Sequence, residues 1–170
     1  MGLLIAEGVS AQRDGCTTAA ATASAITIAG VEEPGERLHI SGRVRDREGQ
    51  ARAGVEVRVY HTDDAGYYSR GGMEESQARL CGVFGSDADG SYAVDTIVPG
   101  PYATGGPAPH VHFDVRGGGM ESFTLTWRVR GTDSAAGNLV QSPRPMVNAD
   151  DGTWRIEYDL VVAPAVKAGG

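Results

Sequence analysis

The chain has 170 residues, with 22 acidic against 15 basic side chains and a formal net charge of −7, which suits one domain and is too little for two ordinary ones. Its lysines and arginines are scattered among acids, which argues against a nucleic-acid partner, and no apolar stretch reaches the roughly 18 residues of a membrane helix. Cys16 and Cys81 are the only thiols; they are too few for a disulfide-dense scaffold and lack the Cys-x-x-Cys spacing of a zinc site, while leaving a single bridge open.

In chain order, the first segment, MGLLIAEGVSAQRDG, has a short apolar patch without a basic flank or a full-length apolar region. It does not read as a signal peptide, so a cytoplasmic location is expected. Thr17 to Ala29 is a low-complexity run of Ala, Thr, Ser and Ile with no clear period. Residues 1–36 are therefore expected to form an arm or extension and residues 37–165 the folded domain.

From there apolar and polar side chains alternate in short runs separated by turn residues roughly every 8 to 12 positions. Leu38 to Val44 and Val55 to Tyr60 flank a turn at Asp46–Gly49, and Arg79 to Phe84 and Ser91 to Ile97 flank Ser86–Gly90. Ser86–Gly90 resembles a calcium loop but lacks the EF-hand length and closing Glu, so a hairpin turn is preferred. Further strands are expected at His110–Val115, Phe123–Val129 and Trp154–Val162, and Ser134 to Asp151 reads as loop. The fold class is all-β: a β-sandwich of about seven or more mostly antiparallel strands with long loops.

The sharpest chemical signal is Pro109-His110-Val111-His112-Phe113, because residues two apart in a strand project to one face. Two imidazoles so placed suit one metal ion; taken alone, the pair is equally a chance pair on a polar face. Pro99-Gly100-Pro101-Tyr102 and Gly66-Tyr67-Tyr68-Ser69 bring tyrosines nearby. A phenol with its ordinary pKa of about 10 becomes a ligand only beside a strongly charged cation, and ferric iron is one. Tyr60 and Tyr92, inside alternating strands, read as packing.

With Gly42-Arg43-Val44-x-Asp46, Val59 to Ser69, Asp87 to Tyr92, Thr96 to Tyr102 and Pro109 to Phe113 in this order, residues 37 to 130 resemble the catalytic domain of the intradiol ring-cleavage dioxygenases. The resemblance implies a non-haem Fe(III) ion, a small aromatic vicinal diol and O2 as substrates, and ring cleavage to a muconate-type product. It implies Tyr68, Tyr102, His110 and His112 as metal ligands, the Gly-x-Tyr-Ser pattern selecting Tyr68 over Tyr67. Tyr68 would also act in catalysis and Tyr67 would border the substrate, while Trp127 would either stack on a flat aromatic substrate beside the metal or fill the sandwich core.

Larger members of the family carry an arginine three residues before the first histidine and a glutamine in the following strand; Pro107 and Trp127 stand at these places. Arg79, or Arg70, is the candidate replacement cation for charge developing on the ring. Gly42-x-Val44-x-Asp46 with Ala53-Gly54-Val55 also resembles transthyretin-like and carboxypeptidase-regulatory modules, which implies the rival reading of a non-enzymatic binding module. A homo-oligomeric state is left open.

Overall fold

The computed structural model describes residues 16, 20–21, 23–106, 108–116, 122–126 and 147–162. Within them lie β1 (Ala25–Thr27), β2 (Arg37–Arg45), β3 (Glu56–His61), β4 (Leu80–Gly85), β5 (Ser91–Ile97), β6 (His110–Val115), β7 (Ser122–Thr126), β8 (Val147–Asn148), β9 (Trp154–Glu157) and β10 (Leu160–Val161), with a single 3-10 turn at Glu75–Gln77. No helix among these residues is long and apolar enough to cross a membrane. One sheet runs β1-β5-β2-β9-β8, with β10 also on β2, and the other runs β4-β3-β6-β7. Five of the eight strand pairings are antiparallel, so the all-β, mostly antiparallel expectation holds.

The two sheets are layers because period-two alternation gives each an apolar face. Leu38, Ile40 and Val44 of β2 and Val94 of β5 meet Val57 and Val59 of β3 and Val111 and Phe113 of β6 in one fully buried cluster. Across the gap Phe84 and Tyr92 stack at 4.7 Å with planes 6° apart. Burying each such side chain contributes about 1.5–3 kcal/mol. Tyr92 is core, as expected, and its hydroxyl donates to the Tyr158 carbonyl at 2.6 Å.

The connections differ from the sequence expectation. β2 pairs with β5 and β3 with β4, so the Ser86–Gly90 turn carries the chain from one layer to the other and is not a hairpin. Alternation marks the buried face of a strand but not the sheet to which it belongs. Ser86 anchors the crossing, its hydroxyl accepting the Val55 amide at 2.9 Å and donating to the Arg52 carbonyl at 2.6 Å. The run from Trp154 keeps its buried period through Ile156, Tyr158 and Leu160 but breaks into β9 and β10 beside Gly42, where a Cβ would lie 2.0 Å from the Tyr158 carbonyl oxygen. Part of the expected 134–151 loop is strand β8; residues 134–146 and the end of the expected 123–129 strand lie outside the described residues.

Within the stretch read as an arm, β1 runs parallel to β5. Ile26 and Ile28 pack on the core over Gly82, where a Cβ would approach Ile28 to 2.7 Å. Cys16 and Cys81 are joined in a disulfide, which ties this segment to β4. Closing a loop with a sequence separation of 65 stabilises a chain by roughly 4 kcal/mol in the chain-entropy account. Denaturant unfolding with and without reductant is expected to show a loss of about 2–4 kcal/mol on reduction.

His61 ends β3 fully buried, its Nδ1–H donating to the Thr62 carbonyl and its Nε2 accepting from the Thr96 hydroxyl, both at 2.6 Å. Burial holds its pKa down at about 4 against an ordinary 6.5. The unfolded chain therefore takes up a proton from about pH 6.5 downward while the folded chain resists until about pH 4, and stability falls as pH falls through that window. The loss is roughly 3 kcal/mol; His61→Gln should flatten that part of the stability–pH curve measured by denaturant titration.

Candidate functional site

The four-stranded sheet has two covered faces. In β6, Val111 and Phe113 enter the inter-sheet core, so His110 and His112 point to the opposite face. There, Cys81, Tyr60 and His112 form a row across β4, β3 and β6 by register. The chain between β3 and β4 folds over this face, which is why every residue of Val57–His61 is buried. Tyr60, Tyr68 and Ala78 make a small cluster of their own, joined by Met73, Cys81 and Tyr102.

Two loops deliver the remaining tyrosines, and they are clasped backbone to backbone. The Gly100 amide donates to the Asp63 carbonyl at 2.9 Å, the Ala103 amide to the Gly66 carbonyl at 3.3 Å, and the Thr62 hydroxyl to the Gly100 carbonyl at 2.9 Å. The approach leaves no room for side chains: a Cβ on Gly66 would lie 1.9 Å from the Pro101 oxygen, and one on Gly100 2.3 Å from the Asp64 oxygen. Gly66 also has φ +87°, a left-handed value that other residues rarely adopt. Tyr68 is pinned on both sides, its amide donating to Gly72 and its carbonyl accepting from the Arg79 amide at 2.7 Å.

Four polar atoms converge as a result. The Tyr68 hydroxyl is 2.7 Å from the Tyr102 hydroxyl and 2.9 Å from His112 Nε2, the Tyr102 hydroxyl is 3.1 Å from His110 Nε2, and the two Nε2 atoms are 3.0 Å apart. His110 Nδ1 donates to the Ala108 carbonyl at 2.7 Å, which leaves a lone pair on its Nε2. A closed ring of four donors with sides near 3 Å has a centre about 2 Å from each, the usual distance from a first-row metal ion to imidazole nitrogen or oxygen.

The electrostatics fit a cation of high charge. Burial, then the Tyr102 hydroxyl, pushes the Tyr68 phenol far above the ordinary tyrosine value, and burial raises Tyr102 as well. Burial and the neighbouring His110 hold His112 down at about 4. The two phenols and His112 are thus neutral near pH 7 when no ion is bound, and only a strong positive charge turns two buried phenols into anionic ligands. Among the described residues no group of three or more His, Cys, Asp and Glu side chains has metal-binding geometry, so a site here draws on the phenols.

Of the residues singled out from sequence, Tyr68, Tyr102, His110 and His112 come together. Tyr67 is half-buried, its amide donating to the Asp63 carboxylate, and among the described residues no contact of its side chain with the four appears. Arg79 is 39% exposed, and its guanidinium is engaged with Glu33 at 2.5 and 2.7 Å and Asp63 at 3.4 Å. Arg70 is exposed. Pro107 and Trp127 lie outside the described residues.

Three neighbours were not singled out as functional. Tyr60, read only as packing, stacks on His112 with centroids 4.6 Å apart and planes within 5°. The Arg58 guanidinium lies 4.0 Å from the Tyr60 ring centroid and reaches Asp114 at 3.3 Å. Glu75 accepts the Tyr60 hydroxyl at 2.9 Å and lies 4.0 Å from His112 Nε2. The alternation of Arg58 and Tyr60 with Val57 and Val59 placed them opposite the core, where His112 also faces; Glu75, in a loop, had no such signal. Because the clasp sets both tyrosines, Gly66→Ala or Gly100→Ala should destabilise the fold by about 2 kcal/mol or more and cut metal retention, measured by denaturant titration and metal analysis.

Comparisons with known proteins bear on this geometry. A family model described as Dioxygenase matches residues 13–162. The 6-chlorohydroxyquinol 1,2-dioxygenase of Cupriavidus pinatubonensis is 28% identical over 155 residues, covering 78% of this chain and 55% of that protein. The hydroxyquinol 1,2-dioxygenase of Nocardioides simplex is 30% identical over 164 residues, covering 77% and 56%. The chain thus spans about half the length of these curated relatives. Among solved structures, catechol 1,2-dioxygenase of Acinetobacter radioresistens matches with TM-score 0.67 at 21% identity, over 91% of this chain and 61% of that one. The dioxygenase domain of a carbohydrate-binding fusion from Streptomyces sp. SirexAA-E matches with TM-score 0.66 at 24% identity, over 82% and 87%. These two establish likeness of fold.

Proposed function

The chain belongs to the intradiol ring-cleavage dioxygenase family, and from that premise we propose that it is an Fe(III)-dependent dioxygenase that opens the ring of a catechol-type aromatic vicinal diol between its two hydroxylated carbons. The ring of donors formed by Tyr68, Tyr102, His110 and His112 carries the proposal. A ferric ion held there supplies the redox and Lewis-acid chemistry by which a diol and O2 combine.

The chain's own groups have separable tasks. His110 and His112 present Nε2 atoms from one rigid strand, and the Ala108 carbonyl fixes the tautomer of the first. Tyr68, 2% exposed and pinned through its backbone, would be the fixed phenolate ligand. Tyr102 is less buried and sits on the opposing loop; with an ion bound it would be the ligand with room to yield, and its phenol oxygen would take the proton of an incoming diol. Tyr60 packs flat on His112 and keeps that imidazole in line.

The substrate is an electron-rich diol. Hydroxyquinol, an extra hydroxyl on the ring, is the substrate type in the names of two relatives, and such a ring needs less help from a fixed cation. Arg79 as a catalytic group is disfavoured by its ion pairs with Glu33 and Asp63. The Cys16–Cys81 bridge favours an oxidising compartment over the cytoplasm expected from sequence. The rival reading, a non-enzymatic transthyretin-like module, gives no reason for two phenols and two imidazoles to converge.

His110→Ala or His112→Ala should abolish iron retention and the red-brown phenolate-to-iron absorbance while the far-UV circular dichroism of the sandwich persists. The wild type should consume O2 in proportion to ring-opened product, seen by mass spectrometry, fastest with hydroxyquinol-type diols and slowly with unsubstituted catechol. Full iron occupancy in either alanine variant, or an iron-loaded wild type inert to every diol in the panel, contradicts the proposal.

A further inference from the structure

Glu75 places a negative charge at the rim of the donor ring. Its carboxylate is held in position: Oε2 accepts the Tyr60 hydroxyl at 2.9 Å, and the Arg58 guanidinium donates to the Glu75 backbone carbonyl at 3.0 Å. Oε1 lies 4.0 Å from His112 Nε2, and the side chain is 48% exposed, so the charge faces the opening of the site instead of being sealed into the core.

Among the described residues no lysine or arginine is ion-paired with this carboxylate. The Arg58 guanidinium divides between the Asp114 carboxylate and the Glu75 backbone, and Arg79 is taken by Glu33 and Asp63. Among the described residues, the fixed charges on this side of His112 are therefore one compensated pair, Arg58 with Asp114, and the Glu75 carboxylate, which has no ion-paired cation.

We propose that Glu75 sets the charge preference of the diol site, admitting diols whose ring substituent is neutral or cationic and repelling those whose substituent is anionic, such as a ring carboxylate. The inference rests on the metal reading of the donor ring, because only a diol bound at that ring is brought this close to Glu75. Because Glu75 Oε1 lies 4.0 Å from His112 Nε2, the ring substituent of a diol held at the donor ring would lie on the order of 8 Å from the carboxylate. Across that separation, with an effective dielectric of about 20–40, one unit of charge changes binding roughly 5- to 30-fold. The group is a specificity determinant and not a ligand: it shifts which diol binds and leaves the metal in place.

The experiment uses the whole chain loaded with gallium(III), which matches the charge of ferric iron and supports no turnover, so that calorimetry reads binding alone. The probes are dopamine, 4-methylcatechol and 3,4-dihydroxybenzoate, carrying cationic, neutral and anionic substituents. The ratio of the 3,4-dihydroxybenzoate Kd to the dopamine Kd is expected to fall by about 10-fold or more in Glu75→Gln, whose amide oxygen still accepts the Tyr60 hydroxyl. In the wild type the same ratio should shrink as salt is raised, since screening weakens the repulsion of the anion and the attraction of the cation together.

A ratio unchanged within about twofold in Glu75→Gln, or insensitive to salt in the wild type, overturns the proposal. So does loss of gallium by Glu75→Gln, which would make Glu75 a ligand. Failure of the wild type to take up any trivalent ion overturns the metal reading itself, and it is seen at the loading step before a diol is added.

Discussion

Four polar atoms closing a ring whose sides are 2.7 to 3.1 Å, in a largely buried place, are the constraint on which the rest of this structure turns. Without an ion the phenols can donate to the imidazoles, Tyr68 to His112 and Tyr102 to His110, but the proton of His110 is committed to the Ala108 carbonyl and its bare Nε2 stands 3.0 Å from that of His112. A trivalent cation at the centre would bind all four and would draw the protons from Tyr68 and Tyr102. Around that point the fold spends its rigidity: a β-strand for the histidines, and two loops locked by Gly66 and Gly100 for the tyrosines.

The architecture explains how a small sandwich keeps such a site away from its core. Val111 and Phe113 hold β6 to the opposite sheet while His110 and His112 look outward. Alternation within one strand thus separates what stabilises the molecule from what does its chemistry. The Cys16–Cys81 bridge lies on the outward face as well, with Cys81 opposite Tyr60 in register and packed in the Tyr60–Tyr68 cluster. The segment that carries Cys16 is tied to the layer that carries the site.

Much of this was legible in the sequence, for physical reasons. Strand positions from β2 to β6 follow period-two alternation, and the His-x-His pair announces its shared face without any tertiary information. Pairing partners do not follow from alternation, so the crossing at Ser86–Gly90 was taken for a hairpin. β1 went unread because a three-residue edge strand in a run of Ala, Thr, Ser and Ile has no period to display. At the site, Tyr60 was assigned to packing since an alternating strand gives a buried tyrosine the same signature whether it fills a core or stacks on His112. Glu75 and the engagement of Arg79 with Glu33 depend on loop geometry that no spacing rule encodes.

Resonance Raman spectroscopy of the iron-loaded protein, excited within its visible band, tests the central claim most directly. Enhanced phenolate ring modes should appear, with Tyr68→Phe and Tyr102→Phe each removing one contribution and Tyr67→Phe removing none. A spectrum without phenolate modes, or one that depends on Tyr67 and not on Tyr68, would contradict the account.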